Sequence, residues 1–146
     1  LSNGPGLFSQ TSSFGSIGLG LGAAIGAAFA QPDRLTVCVT GDGGLMMCLL
    51  ELSTAVHHRL PLLVAVLNDG SYGAEYTKLG DYGHDPDYSL RPWPSFADIA
   101  VALGAHAETV RTPDDIRQLK STFEQLETPF LLDIRANPAV DTGRFE

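Results

Sequence analysis

Residues 40–73 read "TGDGGLMMCLLELSTAVHHRLPLLVAVLNDGSYG", and the elements in this stretch decide the fold. Just ahead of it, "RLTVCVT" (34–40) is a β-branched run bounded by Pro32-Asp33 and Gly41. Within it, "PLLVAVL" (61–67) repeats that form between Pro61 and Asn68-Asp69-Gly70. Short apolar runs without alternation predict strands buried on both faces of a parallel sheet. Between the two runs Leu45, Leu49, Leu52 and Val56 recur at i, i+4, i+7 and i+11, the spacing of one helical face. Strand, helix and strand then make a right-handed crossover.

Working outward, residues 1–14 are rich in Gly, Ser and Asn without period and predict loop. "GSIGLGLGAAIGAAFA" (15–30) predicts a helix in which Ala supplies propensity and the glycines serve a close backbone approach. On the other side, "DYGHDPDYSLRPWP" (81–94) has the composition of a long exposed loop. "SFADIAVALG" then predicts a helix capped by Ser95 and ended by Gly104. "AHAETV" reads as a strand, "PDDIRQLKSTFEQL" as an amphipathic helix with Pro113 in its first turn, and "PFLLDIR" as a last strand. The alternation predicts one doubly wound α/β domain over residues 1–146, with a mostly parallel sheet and helices on both faces.

The totals restrict the partners. The 146 residues carry 17 acidic side chains against 9 Lys plus Arg, a formal charge of −8, and no basic run that could track a phosphodiester backbone. Nucleic acid is excluded as a partner. An anion would have to be held by backbone N–H groups, a helix N-terminus or a bound cation. The apolar stretch at 17–30 is interrupted by glycines and too short to span a bilayer, and no basic region precedes it, so neither a membrane span nor a signal peptide is expected. Cys38 and Cys48 lie in apolar segments without metal-site spacing, as in a reduced, cytoplasmic protein. The first residue is Leu1, which leads us to expect a processed or excised piece of something longer.

In open parallel sheets ligands bind beyond the carboxyl ends of the strands, where Asp42 and Asp69 both fall. Gly41-Asp42-Gly43-Gly44 enters a helix through glycines, so the amides of Gly43 and Gly44 can approach a phosphate closely. Asp42 beside a phosphate would repel it. A divalent cation between them removes the conflict, because Mg²⁺ takes oxygen ligands from both sides, with Asp69 as second carboxylate and a carbonyl of "NDGSY" as a further oxygen.

Together, "GSIG" (15–18), "GDGG" (41–44) and "NDGSYG" (68–73), in this order and at these separations, resemble the cofactor-binding domain of thiamine-diphosphate-dependent 2-oxo acid decarboxylases and acetolactate-synthase-type enzymes, over nearly the whole chain. That family's signature is GDG, about two dozen residues, then Asn followed by Asn or Asp, far more specific than a lone glycine loop. The resemblance implies that Asp42 and Asp69 bind Mg²⁺ by side chain and Ser71 by its carbonyl, and that Gly43 and Gly44, after Gly41, hold the diphosphate. It implies that Ile17, next to Ser16, props thiamine diphosphate in its bent form, while the Gly15 carbonyl receives the aminopyrimidine amine. Tyr72 and Gly73 would line the cofactor turn, and Glu75 falls where pyruvate-decarboxylase-like members carry an active-site glutamate.

The resemblance further implies a small 2-oxo acid substrate, decarboxylation or carboligation, and a homo- or hetero-oligomer. The pyrimidine-binding domain, whose glutamate activates the cofactor, would come from elsewhere or from another subunit. Where many members have Asn, this chain has Asp69, so stronger metal dependence is expected.

Other readings stand beside these. Asp42 alone would serve as a helix N-cap, and Glu75 as a solvated helix residue. Met46, Met47 and Cys48 read as core filler, and His57 and His58 as residues of a helix end. Asp81, His84, Asp85 and Asp87 read as solvated loop groups. "GLGLGA" (18–23) fits a dinucleotide-binding pattern, with Asp42 near where a ribose-binding acid belongs, but no hydrophobic strand precedes it. A non-catalytic, isolated cofactor-binding module also remains open.

Overall fold

The computed structural model describes residues 8–139. A 3₁₀ turn at Ser13–Gly15 leads to α1 (Gly20–Ala30), β1 (Thr36–Gly41), α2 (Asp42–Met46), a 3₁₀ turn and α3 (Leu52–His57). There follow β2 (Leu62–Asn68), α4 (Gly73–Asp81), a 3₁₀ turn at Pro86–Ser89, α5 (Phe96–Ala102), β3 (His106–Val110), α6 (Pro113–Gln118), α7 (Lys120–Glu124) and β4 (Phe130–Arg135). The four strands form one parallel sheet in the order β1-β2-β4-β3. This is the α/β architecture the sequence predicts, and each strand boundary falls within two residues of the run that announces it.

Apolar side chains on alternate strand positions divide between two layers. On one face Cys38, Val64 and Leu131 sit side by side in register, under Leu21, Ala24 and Ala28 of α1, Leu45 and Leu52 of the crossover from β1 to β2, and Phe96 of α5. Each large apolar side chain buried here contributes about 1.5–3 kcal/mol. On the other face Leu63, Val110, Phe130 and Leu132 pack against Ile116 and Leu119 at the α6–α7 junction and Phe123 of α7. Phe123 meets Phe130 edge-on at 5.5 Å. That second layer stops short of β1. Val37, Val39 and Leu67 remain 52%, 65% and 51% exposed among the described residues.

Several local expectations need correction. The helix expected over 15–30 begins only at Gly20, because Gly15 and Gly18 have φ of +62° and +85°, outside any right-handed helix. Gly22 and Gly26 face open space, so the close approach expected of the glycines falls to Gly18, where a Cβ would lie 3.0 Å from that of Met47 and 3.2 Å from the Gly44 carbonyl. The helix expected between β1 and β2 is broken: Met47 and Cys48 bond three residues back, to Gly44 and Leu45, and Cys48 has φ −139°. The helical face survives the break, with Leu45, Leu49 and Leu52 buried and Val56 packed at its margin. Met46 and Met47 are not core filler; they are 36% and 59% exposed.

The helix expected over 113–126 divides at Leu119 into α6 and α7. Ser95 does cap α5, accepting the Asp98 amide at 3.1 Å, and Gly104 has φ +93°. α6 carries a capping box that the sequence reading passed over, in which Thr112 and Asp115 satisfy each other's backbone. Among the described residues no helix is long and apolar enough to cross a membrane.

Candidate functional site

β1 and β2 end side by side, with Gly41 in register with Leu67, and this delivers the two acidic turns to one place. Asp42 follows Gly41 directly as the first residue of α2 and is buried. Its Oδ1 accepts the Gly43 amide at 2.7 Å and its Oδ2 accepts the Gly70 amide at 2.9 Å, so one carboxylate bridges both turns. Gly70 can present that amide because its φ of +72° lies in the left-handed region that favours glycine.

Asp69 turns the other way within its own loop. Its Oδ1 accepts both the amide and the hydroxyl of Ser71, at 2.9 and 2.8 Å. A Cβ on Gly73 would stand 2.9 Å from Asp69 Oδ2, which explains the glycine at the start of α4. Burial pushes the Asp42 carboxyl above its ordinary range, and the charge of Asp69 adds to this, against the lowering effect of the Gly43 and Gly70 amides and of Trp93. Two acids set this close, one of them out of water, make a site whose charge a hard cation would balance with oxygen ligands alone. Among the described residues no group of three His, Cys, Asp or Glu side chains is placed to hold a metal, so a cation here needs oxygens beyond the two carboxylates. The Ser71 carbonyl and a phosphate are of the right kind.

The third motif reaches the same place. Gly18 lies against Gly44 and Met47, which brings the 15–18 segment to the GDGG turn. Gly15 closes its 3₁₀ turn with no atom near its missing side chain, the Ser16 hydroxyl donates to the neighbouring Ile17 carbonyl at 3.2 Å, and Ile17 is 53% exposed. The Gly44 amide lies in the first turn of α2 and has no acceptor within that helix, whereas the Gly43 amide is already held by Asp42. Tyr72 lays its ring on the turn: a Cβ on Gly43 would meet it at 2.6 Å. Glu75 is exposed in the first turn of α4.

Further contributors were not among the site residues predicted from the sequence. Asn68, buried at the end of β2, donates to Asp133 Oδ1 at 2.8 Å and accepts the Gly70 amide at 3.2 Å, fixing the second turn to β4. Asp133 is the one acid inside "PFLLDIR", and an acid within an apolar strand is the signal that could have found it. The expected loop at 81–94 returns to the site at its far end: the Tyr72 amide donates to the Ser89 carbonyl at 3.0 Å and the Arg91 amide to the Gly70 carbonyl at 2.7 Å. Arg91 sits 5.3 Å over the Tyr72 ring, and Trp93 meets the same ring edge-on at 5.9 Å. Density of Pro, Gly and Asp announces a loop but not where it docks.

α1 begins after a 3₁₀ turn, with no strand leading into it among the described residues, so "GLGLGA" lacks the strand-to-helix context of a dinucleotide site. Two cavities of about 430 and 370 Å³ lie around Arg59 and Leu126, away from these turns.

Residues 2–134 match the family described as thiamine pyrophosphate enzyme, C-terminal TPP binding domain. The chain is 32% identical to a 2-hydroxyacyl-CoA lyase of Oryza sativa subsp. japonica, over 91% of this chain and 24% of the relative. It is 31% identical to the acetolactate synthase isozyme 2 large subunit of Escherichia coli, over 87% of this chain and 24% of that one. Among solved structures, the thiamine diphosphate-dependent 4-hydroxybenzoylformate decarboxylase of Rhodococcus jostii RHA1 superposes with a TM-score of 0.74 at 30% identity, over 83% of this chain and 23% of its own. The chain thus spans about a quarter of the length of these relatives.

Proposed function

Since the chain belongs to the thiamine pyrophosphate enzymes as their C-terminal TPP-binding domain, we propose that it holds thiamine diphosphate through Mg²⁺, bound by the Asp42 and Asp69 side chains and the Ser71 carbonyl. The observation that carries this reading is the buried Asp42 carboxylate, hydrogen-bonded to the Gly70 amide with Asp69 nearby. The Gly44 amide and the glycine-lined turn at Gly41 and Gly43 receive the diphosphate. Gly15, Ser16 and Ile17 meet the organic part of the cofactor, with Tyr72 and Gly73 beneath it. A Gly18 whose Cβ would crowd Met47 and the Gly44 carbonyl supports this arrangement, because it holds the 15–18 segment against the GDGG turn.

When bound, thiamine diphosphate supplies the carbanion chemistry that decarboxylases and carboligases of 2-oxo acids share. The residues of this chain bind and orient it. Glu75 is assigned to the substrate side of the site, and the exposed Ile17 to a wall completed by a pyrimidine-binding domain or subunit in an oligomer. Asp69 in place of Asn makes the grip more dependent on the cation.

Calorimetric titration with thiamine diphosphate, with and without Mg²⁺ and beside NAD, tests the reading. Binding only with Mg²⁺, lost in Asp42→Ala and made less metal-dependent in Asp69→Asn, is the expected result. Binding of NAD, or thiamine diphosphate affinity unchanged by a chelator, would overturn it. A decarboxylation assay on the chain alone separates an enzyme from a cofactor-binding module.

A further inference from the structure

Asp133 is a carboxylate inside the apolar run of β4 and is 1% exposed, as is Asn68 at the end of the neighbouring strand. Burying such a group is costly unless its oxygens are hydrogen-bonded, so its position calls for a reason. Its Oδ1 accepts Asn68 Nδ2 at 2.8 Å, across 65 residues of chain, and its Oδ2 lies 3.6 Å from the half-exposed Arg135 guanidinium. Asp133 itself stands on a strand that carries none of the groups assigned to the cation.

What it controls is the direction of the Asn68 side chain. A carboxylate only accepts and a backbone amide only donates, so an asparagine held between the two can face one way. Its N–H goes to Asp133 and its Oδ1 takes the Gly70 amide at 3.2 Å. Turned over, it would set oxygen against carboxylate and N–H against N–H. The Gly70 amide is in turn shared, because it also donates to Asp42 Oδ2 at 2.9 Å. The main chain is tied at the same place, with the Ala136 amide on the Asn68 carbonyl at 2.8 Å and the Arg91 amide on the Gly70 carbonyl at 2.7 Å. A continuous hydrogen-bonded path therefore runs from Asp133 through Asn68 and Gly70 to Asp42.

We propose that Asp133 is a positioning residue for the cation site: by fixing which way Asn68 faces, it sets the Gly70 amide between Asn68 and Asp42, and with it the placing of the 69–71 turn against Asp42. This rests on the reading of Asp42, Asp69 and the Ser71 carbonyl as the cation's ligands. A group on β4 thereby governs a grip built on β1 and β2 without touching it. Outer groups that orient metal ligands commonly change metal affinity by about tenfold or more.

Three variants test this on the 146-residue chain. Asp133→Ala removes the acceptor. Asp133→Asn keeps an acceptor oxygen for the Asn68 N–H. The exchange Asn68→Asp with Asp133→Asn reverses the bond between the two positions and still leaves an acceptor against the Gly70 amide. Mg²⁺ alone is titrated by calorimetry at a temperature where circular dichroism shows every variant folded. The expected result is affinity weakened about tenfold in Asp133→Ala, and affinity close to that of the parent chain in Asp133→Asn and in the exchange. Asp133→Ala binding Mg²⁺ as tightly as the parent would overturn the proposal, and so would Asp133→Asn losing as much as Asp133→Ala.

A second readout needs no metal. In a sample labelled with ¹⁵N-glycine, the Gly70 amide resonance should move in Asp133→Ala and return towards its parent position in Asp133→Asn, which a general loss of stability would not produce. If the parent chain binds no Mg²⁺, the reading of Asp42 and Asp69 as ligands falls by itself. A Gly70 resonance unmoved by Asp133→Ala disposes of the positioning role separately.

Discussion

Substituting Asn68→Ala probes the link between the sheet and the second acidic turn. Asn68 and Asp133 are each 1% exposed, so the amide that Asn68 donates at 2.8 Å is a hydrogen bond to a buried carboxylate. Such a bond contributes about 1.5–3 kcal/mol. After its loss, Asp133 keeps Arg135 at 3.6 Å, itself 39% exposed and therefore a weak substitute. Losing the carbonyl side of Asn68 matters less, because the Gly70 amide keeps Asp42 at 2.9 Å.

With the small cavity left behind, the expected destabilisation is about 2–4 kcal/mol. For a domain of this size that is a fall of about 6–12 °C in unfolding temperature, measurable by calorimetry. The double variant Asn68→Ala/Asp133→Ala should lose less than the sum of the two single changes, because each single change strands a buried polar group that the double removes. A fall below about 3 °C, or strict additivity, would refute the claim that this pair anchors the turn.

Other tests follow from single features. Gly18→Ala should cost about 1–3 kcal/mol, since φ is +85° and the new Cβ would press on the Gly44 carbonyl and Met47; urea unfolding reads the loss, and an unchanged midpoint removes Gly18 as the joint between the 15–18 segment and the GDGG turn. For Asp42 the raised carboxyl means that the folded state holds its proton to higher pH than the unfolded state, which releases it near 3.8. Without metal, stability therefore declines as pH rises from about 3.8 through that raised value, and Asp42→Asn should flatten this decline in parallel urea titrations; identical pH profiles would contradict it. Burial, with the nearby Cys48 adding to it, pushes the Cys38 thiol up to about 11, so a thiol reagent at pH 8 should label Cys38 only upon unfolding. Rapid labelling of the native chain at Cys38 would show the first layer to be open.

The strands were legible because β-branched runs between Gly, Pro and Asp leave little choice, and each became a strand of the predicted kind. Helix continuity was not. The periodicity of Leu45, Leu49 and Leu52 reports which side chains face the sheet, and it persists whether the backbone between them is one helix or a helix, a 3₁₀ turn and a second helix. The glycines of 15–30 were legible as unusual, but only coordinates separate Gly18, which touches Met47 and Gly44, from Gly22 and Gly26, which touch nothing. At the site, Asp42 and Asp69 could be paired from local motifs. Asp133, Trp93 and Arg91 lie far along the chain from the turns they support, and no local pattern encodes that docking.

β1 carries Asp42 into the site, yet it is an edge strand of the described sheet, and Val37 and Val39 lie bare on one side of it. A valine-rich edge strand is a template on which another extended chain can polymerise. Handled in isolation at high concentration, the chain is therefore prone to fibrillate from this border, and a lysine gatekeeper at position 39 is the remedy the geometry recommends, since it would leave the buried layer around Cys38 untouched.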